Sequence, residues 1–298
     1  MRTALVVLSS GIGNVIRYTP LVVMLNRSGY DVDVALESVD YPATRELLDG
    51  SPWIRHFVDL SFLPGAYDLA CVSHWSRVDE SRIPAHRIDR VPAQQWRAYG
   101  DPFAMSWHAA RLNFWEPIPE PFCMTSGRRF VTDGPTLAIH PGCKPGWSWK
   151  RYPWFPAVAA AFSNVVLVGT ADDWQAGDQW TANVTDFRGQ LSLADTAALL
   201  SQCTALVAND SGLSHVAAAL GIPVVAIYGA TRPSRESMPL RNVYPLEHRL
   251  GCRDVCAKMR AGSCADMPGV PQCLRTLDPR VVVQRIREVV PALDPARV

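Results

Sequence analysis

Ala205-Leu206-Val207-Ala208-Asn209-Asp210-Ser211-Gly212-Leu213-Ser214-His215-Val216-Ala217-Ala218-Ala219-Leu220-Gly221-Ile222-Pro223-Val224-Val225-Ala226-Ile227-Tyr228 changes its periodicity twice. Ala205–Ala208 reads as a strand, Ser214–Leu220 as a helix and Pro223–Tyr228 as a second strand. Between the first strand and the helix lies a polar loop, Asn209 to His215. Strand-helix-strand alternation implies a parallel sheet with helices on both faces.

The same alternation extends outward in both directions. Thr136–His140 and Val165–Gly169 read as strands, and Trp154–Phe162 as a helix. Ser192–Gln202 is a helix with Ser192 as N-cap and Asp195 where a full capping box has Glu or Gln. Asp278–Val290 is a final helix. In the N-terminal half, Leu5–Leu8 is a strand, followed by the glycine-rich turn Ser9-Ser10-Gly11-Ile12-Gly13-Asn14. Val15–Arg27 has apolar residues at helical spacing, with Gly29 past its end. Asp31–Leu36 is a strand, Tyr41–Leu48 a helix, Ile54–Leu60 strand and turn, and Asp68–Ser73 a strand. Arg82–Thr132 carries Trp96, Trp107 and Trp115 and several prolines; it shows no clear strand and one helix, Tyr99–Phe114. The boundary is placed near Asp133-Gly134-Pro135, giving domains 1–133 and 134–298. The expected class is α/β, in the GT-B arrangement: two Rossmann-like domains facing a central cleft, with ligands at the carboxyl ends of the strands.

The bulk properties fit. The chain has 298 residues, which favours two domains over one large core. A formal net charge of +1 argues against a broad polyanion-binding surface. No apolar run approaches the ~20 residues of a membrane span. The apolar run Ala4–Leu8 breaks at Ser9-Ser10-Gly11, shorter than a signal-peptide core. A cytoplasmic location is therefore expected.

Three loops carry candidate chemistry, each after a strand. At Gly11-Ile12-Gly13-Asn14 the backbone can approach a ligand closely, and the helix start offers N–H groups to an anion or a sugar; a plain tight turn is the alternative. The second loop, His140 to Lys150, is basic and glycine-rich, with Gly142, Lys144, Lys150 and Arg151. A positioned lysine suits release of a diphosphate, and Trp147, Trp149, Tyr152 and Trp154 suggest a pocket wall rather than a solvated loop. In the third loop, Asp210 or Ser211 can cap the helix and its start can hold a phosphate. One polar residue would suffice for a cap, yet Asp210, Ser211, Ser214 and His215 crowd together. The alternative for His215 is a structural histidine.

The run Asn209 to Thr231 resembles the hallmark of glycosyltransferase family 9, which contains the ADP-heptose:lipopolysaccharide heptosyltransferases. Arg188-Gly189-Gln190-Leu191-Ser192-Leu193 is similar to the approach to that motif. Gly13, Asn14, Thr19 and Pro20 are similar to the family's N-terminal motif, and Lys150 and Pro153 to its lysine loop. The likeness is specific from about Phe187 to Thr231. It implies an inverting, metal-independent transferase using a nucleotide sugar, an ADP-sugar by resemblance. Lys150 would contact the phosphates; Gly142, Asp210, Ser211, Gly212 and His215 would form the donor site, with Leu191 near the base. The acceptor, a glycan or lipid-linked hydroxyl, would sit against Gly11, Gly13 and Asn14, and the enzyme could be peripheral at the inner membrane.

Asn14 departs from the pattern. Heptosyltransferases carry Asp there as general base, and an amide cannot accept the acceptor's proton. Either Asn14 orients the acceptor while another group, His74 being a candidate, takes the proton; or the acceptor needs little help; or transfer has been lost. The first is favoured, and the sugar itself could differ from heptose.

Cys252, Cys256, Cys264 and Cys273 form a Cys-x3-Cys-x7-Cys-x8-Cys cluster in a segment rich in Gly, Pro and polar residues. In a cytosolic protein this favours a structural metal, Zn or Fe, over disulfides or reduced thiols. A similar cysteine-bearing segment occurs in some members of the family. No catalytic metal is expected. Cys71 and Cys203, in apolar segments, read as inert core residues.

Two rival readings remain: a nucleotide-sugar-binding protein without turnover, which Asn14 permits, and a glycosyltransferase acting on nucleic acid through the cysteine segment, the tryptophans and Arg87, Arg90 and Arg97. The net charge disfavours the second. An NAD-dependent dehydrogenase is weaker still, because Arg17 and Tyr18 stand where the third glycine of Gly-x-Gly-x-x-Gly would fall.

Overall fold

The computed structural model describes residues 2–9, 11–37, 42–95, 102–130, 134–144, 146–173, 179–250, 263–264, 267–268 and 270–294. The chain forms two compact units, Met1–Met124 and Thr125–Val298.

In the first unit, β1 (Arg2–Ser9) leads into α1 (Ile12–Arg27) and then β2 (Tyr30–Glu37). A 3-10 turn, Pro42–Leu47, β3 (His56–Phe57), β4 (Leu69–Val72), β5 (Ile88–Arg90) and α2 (Pro102–Leu112) follow. The five strands are all parallel, in the order β3-β2-β1-β4-β5. Ala4–Leu8 and Leu69–Val72 are fully or almost fully buried, as central strands covered on both faces require. Asp33, in β2, is one of the charged groups buried in this core: its carboxylate, 1% exposed, takes a bidentate pair from Arg55 at 2.9 and 2.8 Å and the Tyr67 hydroxyl at 2.9 Å.

Helix α1 contains Pro20. Proline has no N–H to give the carbonyl four residues back. The Thr19 hydroxyl supplies the donor instead, 2.8 Å from the Ile16 carbonyl. The same hydroxyl oxygen accepts the Phe122 N–H at 2.8 Å, and the Met124 N–H donates to the Leu47 carbonyl at 2.7 Å. The end of the first unit's chain is thus tied back onto its own elements.

The second unit contains β6 (Leu137–His140), α3 (Phe155–Ala159), β7 (Val165–Leu167), β8 (Val184–Asp186), α4 (Leu193–Ser201) and β9 (Ala205–Asn209). It continues with α5 (Gly212–Ala219), β10 (Val224–Tyr228), α6 (Pro233–Glu236), β11 (Val243–Glu247), the short ribbon β12 (Ser263–Cys264) and β13 (Met267–Pro268), α7 (Gln272–Arg275) and α8 (Pro279–Val289). The main sheet is again all parallel, β11-β10-β9-β6-β7-β8. Ser192 caps α4 by accepting the Asp195 N–H, and Asp278 caps α8 through the Arg280 N–H.

Several expectations change. In place of the helix expected over Tyr41–Leu48 there is a 3-10 turn, Pro42–Leu47, among the described residues. Trp154–Phe162 contracts to the five residues of α3. The Arg82–Thr132 stretch holds a strand after all, β5. The division between units falls at Met124/Thr125, ahead of Asp133-Gly134-Pro135. Chain beyond it already belongs to the second unit: the Ser126 N–H donates to the Ala194 carbonyl (3.2 Å), its hydroxyl to Asp195 (2.7 Å), and the Phe130 N–H to the Gln202 side chain (2.9 Å). Among the described residues, no helix is long and apolar enough to cross a membrane.

Candidate functional site

In an open parallel sheet, the gap between two loops leaving in opposite directions is the natural ligand crevice. In the second unit the order places that switch between β6 and β9. The two loops leaving these strands are His140–Lys150 and Asn209–His215, so the topology gathers both candidate motifs at one sheet edge.

Asn209 joins them. Fully buried at the end of β9, its side-chain oxygen accepts the Tyr152 N–H at 2.9 Å. Its NH2 donates to the carbonyls of Pro141 (2.9 Å) and Gly142 (3.0 Å). These three hydrogen bonds hold the lysine loop in register with the strand end that leads into Asp210. Lys150 Nζ then lies 2.6 Å from Asp210 Oδ2, with the side chains only 11% and 6% exposed. Burial pushes the Asp210 carboxyl up, but the Lys150 ammonium overrides it and holds the group below the usual carboxylate range. The indole of Trp147 lies 4.6 Å from the same ammonium and stacks on Trp149 at 5.3 Å. Lys150 is therefore an oriented cation between a carboxylate and aromatic faces.

Ser211 occupies the N-cap position of α5 yet makes no side-chain cap. Its hydroxyl is instead 2.9 Å from His140 Nδ1. His140 Nε2 lies 3.4 Å from Asp173 Oδ2, and the other Asp173 oxygen faces Arg151 at 3.5 Å. Asp173 is 3% exposed and is fixed by the Thr170 N–H at 2.8 Å. It reaches His140 only because Gly142 and Gly169 lack side chains: a Cβ at Gly142 would lie 1.8 Å from Asp173 Oδ1, and one at Gly169 2.4 Å from Oδ2. Gly142 thus has a packing role besides the donor contact expected of it. Gly142→Ala should cost about 1–3 kcal/mol by overpacking, measured by chemical denaturation; an unchanged midpoint would contradict this packing.

In the first unit the switch lies between β1 and β4. Ser9 and Ser73 link these strand ends through buried hydroxyls 3.1 Å apart. The Gly11 loop leaves β1, and Gly11, with φ 100°, takes the N-cap position of α1. Gly13 and Asn14 lie in the first turn of α1, and Asn14 folds back toward Gly11. His74 follows β4, with Nδ1 2.6 Å from the hydroxyl of Tyr18, one helical turn beyond Asn14. Burial, reinforced by Arg17, pushes the His74 imidazole down to about 3, so it is neutral at physiological pH.

The structure therefore brings together Lys150, Asp210, Ser211, Gly212 and His215 in one unit, and Gly11, Gly13, Asn14 and His74 at adjacent strand ends in the other. Leu191 sits half-buried just before α4. Cys252 and Cys256 lie outside the described residues, as does the side chain of Cys264; Cys273 is buried in the second unit's core. Sequence reasoning missed Asp173, Tyr18 and the stitching role of Asn209. Asp173 follows the β7 strand end, where a polar residue was open to suspicion; nothing local marked the other two roles. It also missed a buried cluster in the first unit, where Cys71, Asp89 and His108 have potential ligand atoms within 4.8 Å of one another. Asp89 is already paired with His108 Nδ1 at 2.8 Å and with Arg111, so the cluster reads as an ion network. Cys71 and Cys203 are buried, as expected of inert core thiols.

Two all-parallel α/β units, each with loops gathered at its switch point, define the GT-B glycosyltransferase fold. The E. coli ADP-heptose lipopolysaccharide heptosyltransferase II structure superposes with a TM-score of 0.71 at 20% identity, covering 97% of this chain and 98% of that one. The iron-containing dodecameric glycosyltransferase TibC of enterotoxigenic E. coli gives 0.66 at 17%, covering 100% and 77%. Residues 118–260 match the family described as Glycosyltransferase family 9 (heptosyltransferase). Lipopolysaccharide heptosyltransferase 2 of Salmonella typhimurium is 29% identical over 185 residues, 56% of this chain and 50% of that relative. The match thus spans about half the length of the curated relative. Residues 118–260 are thus similar to glycosyltransferase family 9, and over its whole length the chain shares the fold of that family's solved structures.

Proposed function

We propose that this protein is an inverting glycosyltransferase that moves a sugar, heptose by likeness to its relatives, from an ADP-linked donor to a hydroxyl of a lipopolysaccharide-type glycan or lipid-linked acceptor. The observation that carries the reading is the buried Lys150–Asp210 pair beside the uncapped start of α5. An anion placed there would meet the helix's first-turn N–H groups and the Lys150 ammonium together. Gly142, Ser211, Gly212 and His215 complete the donor site, with Leu191 toward the base.

In the transfer, the acceptor oxygen bonds to the anomeric carbon as the bond to the diphosphate breaks. The electron pair leaves on the diphosphate, where Lys150 offsets the developing charge. The acceptor proton goes to a base of the first unit. Asn14 orients the acceptor together with Gly11 and Gly13, and His74 accepts the proton. An imidazole held at about 3 is neutral and has roughly the basicity of an aspartate carboxylate, about 3.9. The domains are accordingly an acceptor unit and a donor unit, and the protein works in the cytoplasm at the inner membrane surface.

A structural Zn or Fe ion at Cys252, Cys256, Cys264 and Cys273 is part of the same reading; four thiolates suit a closed tetrahedral site. It rests on the spacing and on the thiol chemistry, and metal analysis of purified protein before and after Cys273→Ser checks it.

The deciding experiment is a thermal-shift screen against ADP-, GDP-, UDP-, CMP- and dTDP-sugars, with Asp210→Ala as control, followed by transfer assays on the binder. An ADP-sugar should stabilise the protein, and the variant should lose that shift. Absence of any binder would sink the reading; binding without transfer would leave a nucleotide-sugar-binding protein. In the transfer assay, His74→Phe should lower kcat by about 10²–10⁴ with little change in donor KM. The wild-type rate should show no acid limb until the pH approaches 3, the His74 value. An unchanged kcat in His74→Phe would remove it as the base.

A further inference from the structure

We infer that His140 and Asp173 are positioning residues that set the direction of the Ser211 hydroxyl proton, and so couple donor diphosphate binding to uptake of one proton. The inference rests on the donor-site reading above and deepens it. It starts from the unusual behaviour of Ser211. A serine at the N-cap normally turns its oxygen onto the helix's own N–H groups. Here that oxygen is 2.9 Å from His140 Nδ1, and α5 has no side-chain cap. The diversion leaves the helix start to a ligand and hands control of Ser211 to an imidazole.

The tautomer then follows from chemistry. Asp173 is held below the usual carboxylate range: burial pushes it up, but His140, the Thr170 N–H and Arg151 outweigh that. As an ionised carboxylate it only accepts, so the nitrogen facing it, Nε2 at 3.4 Å, carries hydrogen. In neutral His140 the other nitrogen, Nδ1, is therefore an acceptor, and Ser211 must give it its proton. The serine then shows only lone pairs to an incoming phosphate, an unfavourable arrangement. When His140 gains a proton, Nδ1–H donates to Ser211 Oγ. The serine's own proton is released to donate to a phosphate oxygen, and Asp173 neutralises the imidazolium. No bond other than hydrogen bonds changes, and the proton comes from solvent.

The other ionisable groups on the adjoining elements include Arg151, which pairs with Asp173, the Lys150–Asp210 pair, Arg188, which donates to the Asp173 carbonyl at 3.2 Å, Lys144, Asp172, the Cys143 thiol and His215 on the first turn of α5. Burial pushes the Cys143 thiol up, and the arginines, lysines and aspartates keep their charges, so His215 is the neighbour whose own proton linkage must be separated. The glycines fix the relay in place, since a side chain at Gly142 or Gly169 would displace Asp173 from His140.

The sign is as follows. Binding favours protonated His140, so donor affinity is highest in acid and weakens as rising pH makes the imidazole neutral. An imidazole's charge change falls between about pH 5 and 8. The donor's diphosphate is a diester, with no group of its own that titrates there.

Two measurements test the relay. Spectra of protein labelled with 15N-histidine, without ligand at the alkaline end of that range, should show His140 as the Nε2–H tautomer; the Nδ1–H tautomer overturns the inference whether or not any donor binds. Calorimetry with ADP-heptose should then show affinity weakening with rising pH, approaching about tenfold per unit at the steepest. That one-proton dependence should be lost in both Ser211→Ala and His140→Asn, while any His215 contribution persists in both. Retention of the full slope in either variant overturns the relay. If ADP-heptose fails to bind the wild type at any pH, the donor reading fails, and the tautomer still judges the relay by itself.

Discussion

Lys150→Ala should lose about 10²–10³ in transfer rate and also destabilise the second unit by about 3–5 kcal/mol. The two losses have one origin. With Lys150 removed, the Asp210 carboxylate, 6% exposed, keeps its burial cost and loses the ammonium at 2.6 Å that offsets it. The diphosphate loses the same ammonium. Denaturation and single-turnover transfer measure the two effects separately. The double variant Lys150→Ala/Asp210→Asn should recover much of the stability, because no buried charge is then stranded, and none of the transfer. Recovery of transfer along with stability would mean that Lys150 acts only through the fold.

The second large effect lies in the first unit. Asp89→Ala should cost about 3–5 kcal/mol, because it removes the partner of His108, fully buried, and of Arg111. The wild-type carboxyl is driven up by burial, but His108 and Arg111 pull it further the other way, so it sits below the usual range in the folded protein. A carboxyl depressed on folding contributes stability above its unfolded value, about 3.9, and loses it as pH falls through the folded value. The gap between wild type and variant should therefore be constant near neutrality and close below about pH 4. A gap that stays open in acid would mean that the lost term is packing rather than charge.

The central strands were legible because both their faces are buried. Ala205–Asn209 and Val224–Tyr228 are buried at every position, as is Leu69–Val72, so their sequences are continuous apolar runs. The strands of the two main sheets that escaped notice, β5, β8 and β11, all stand at sheet edges, where one partner is missing and most positions are only partly buried. Val184–Asp186 and Val243–Glu247 can therefore carry Thr, Asp, Pro and Glu, while Asp89 in Ile88–Arg90 is buried and paired with His108, and the three strands lack the apolar signature. The candidate site divides the same way. Lys150 and the Asp210-to-His215 loop announce themselves by local crowding of polar residues. Asp173 contacts His140 across a gap that two glycines open, and Tyr18 reaches His74 from 56 positions away, so only the folded chain pairs them.

The Thr19 hydroxyl bears on how the first unit comes apart. Its proton is committed to the Ile16 carbonyl and its oxygen to the Phe122 amide. Peeling away the end of the unit therefore also disturbs the point at which proline interrupts α1. A protease or exchanging solvent would find the Phe122 and Met124 amides shielded until both anchors release together. The exit of the chain should open as one cooperative step with the middle of its first helix, rather than fray like an ordinary terminus.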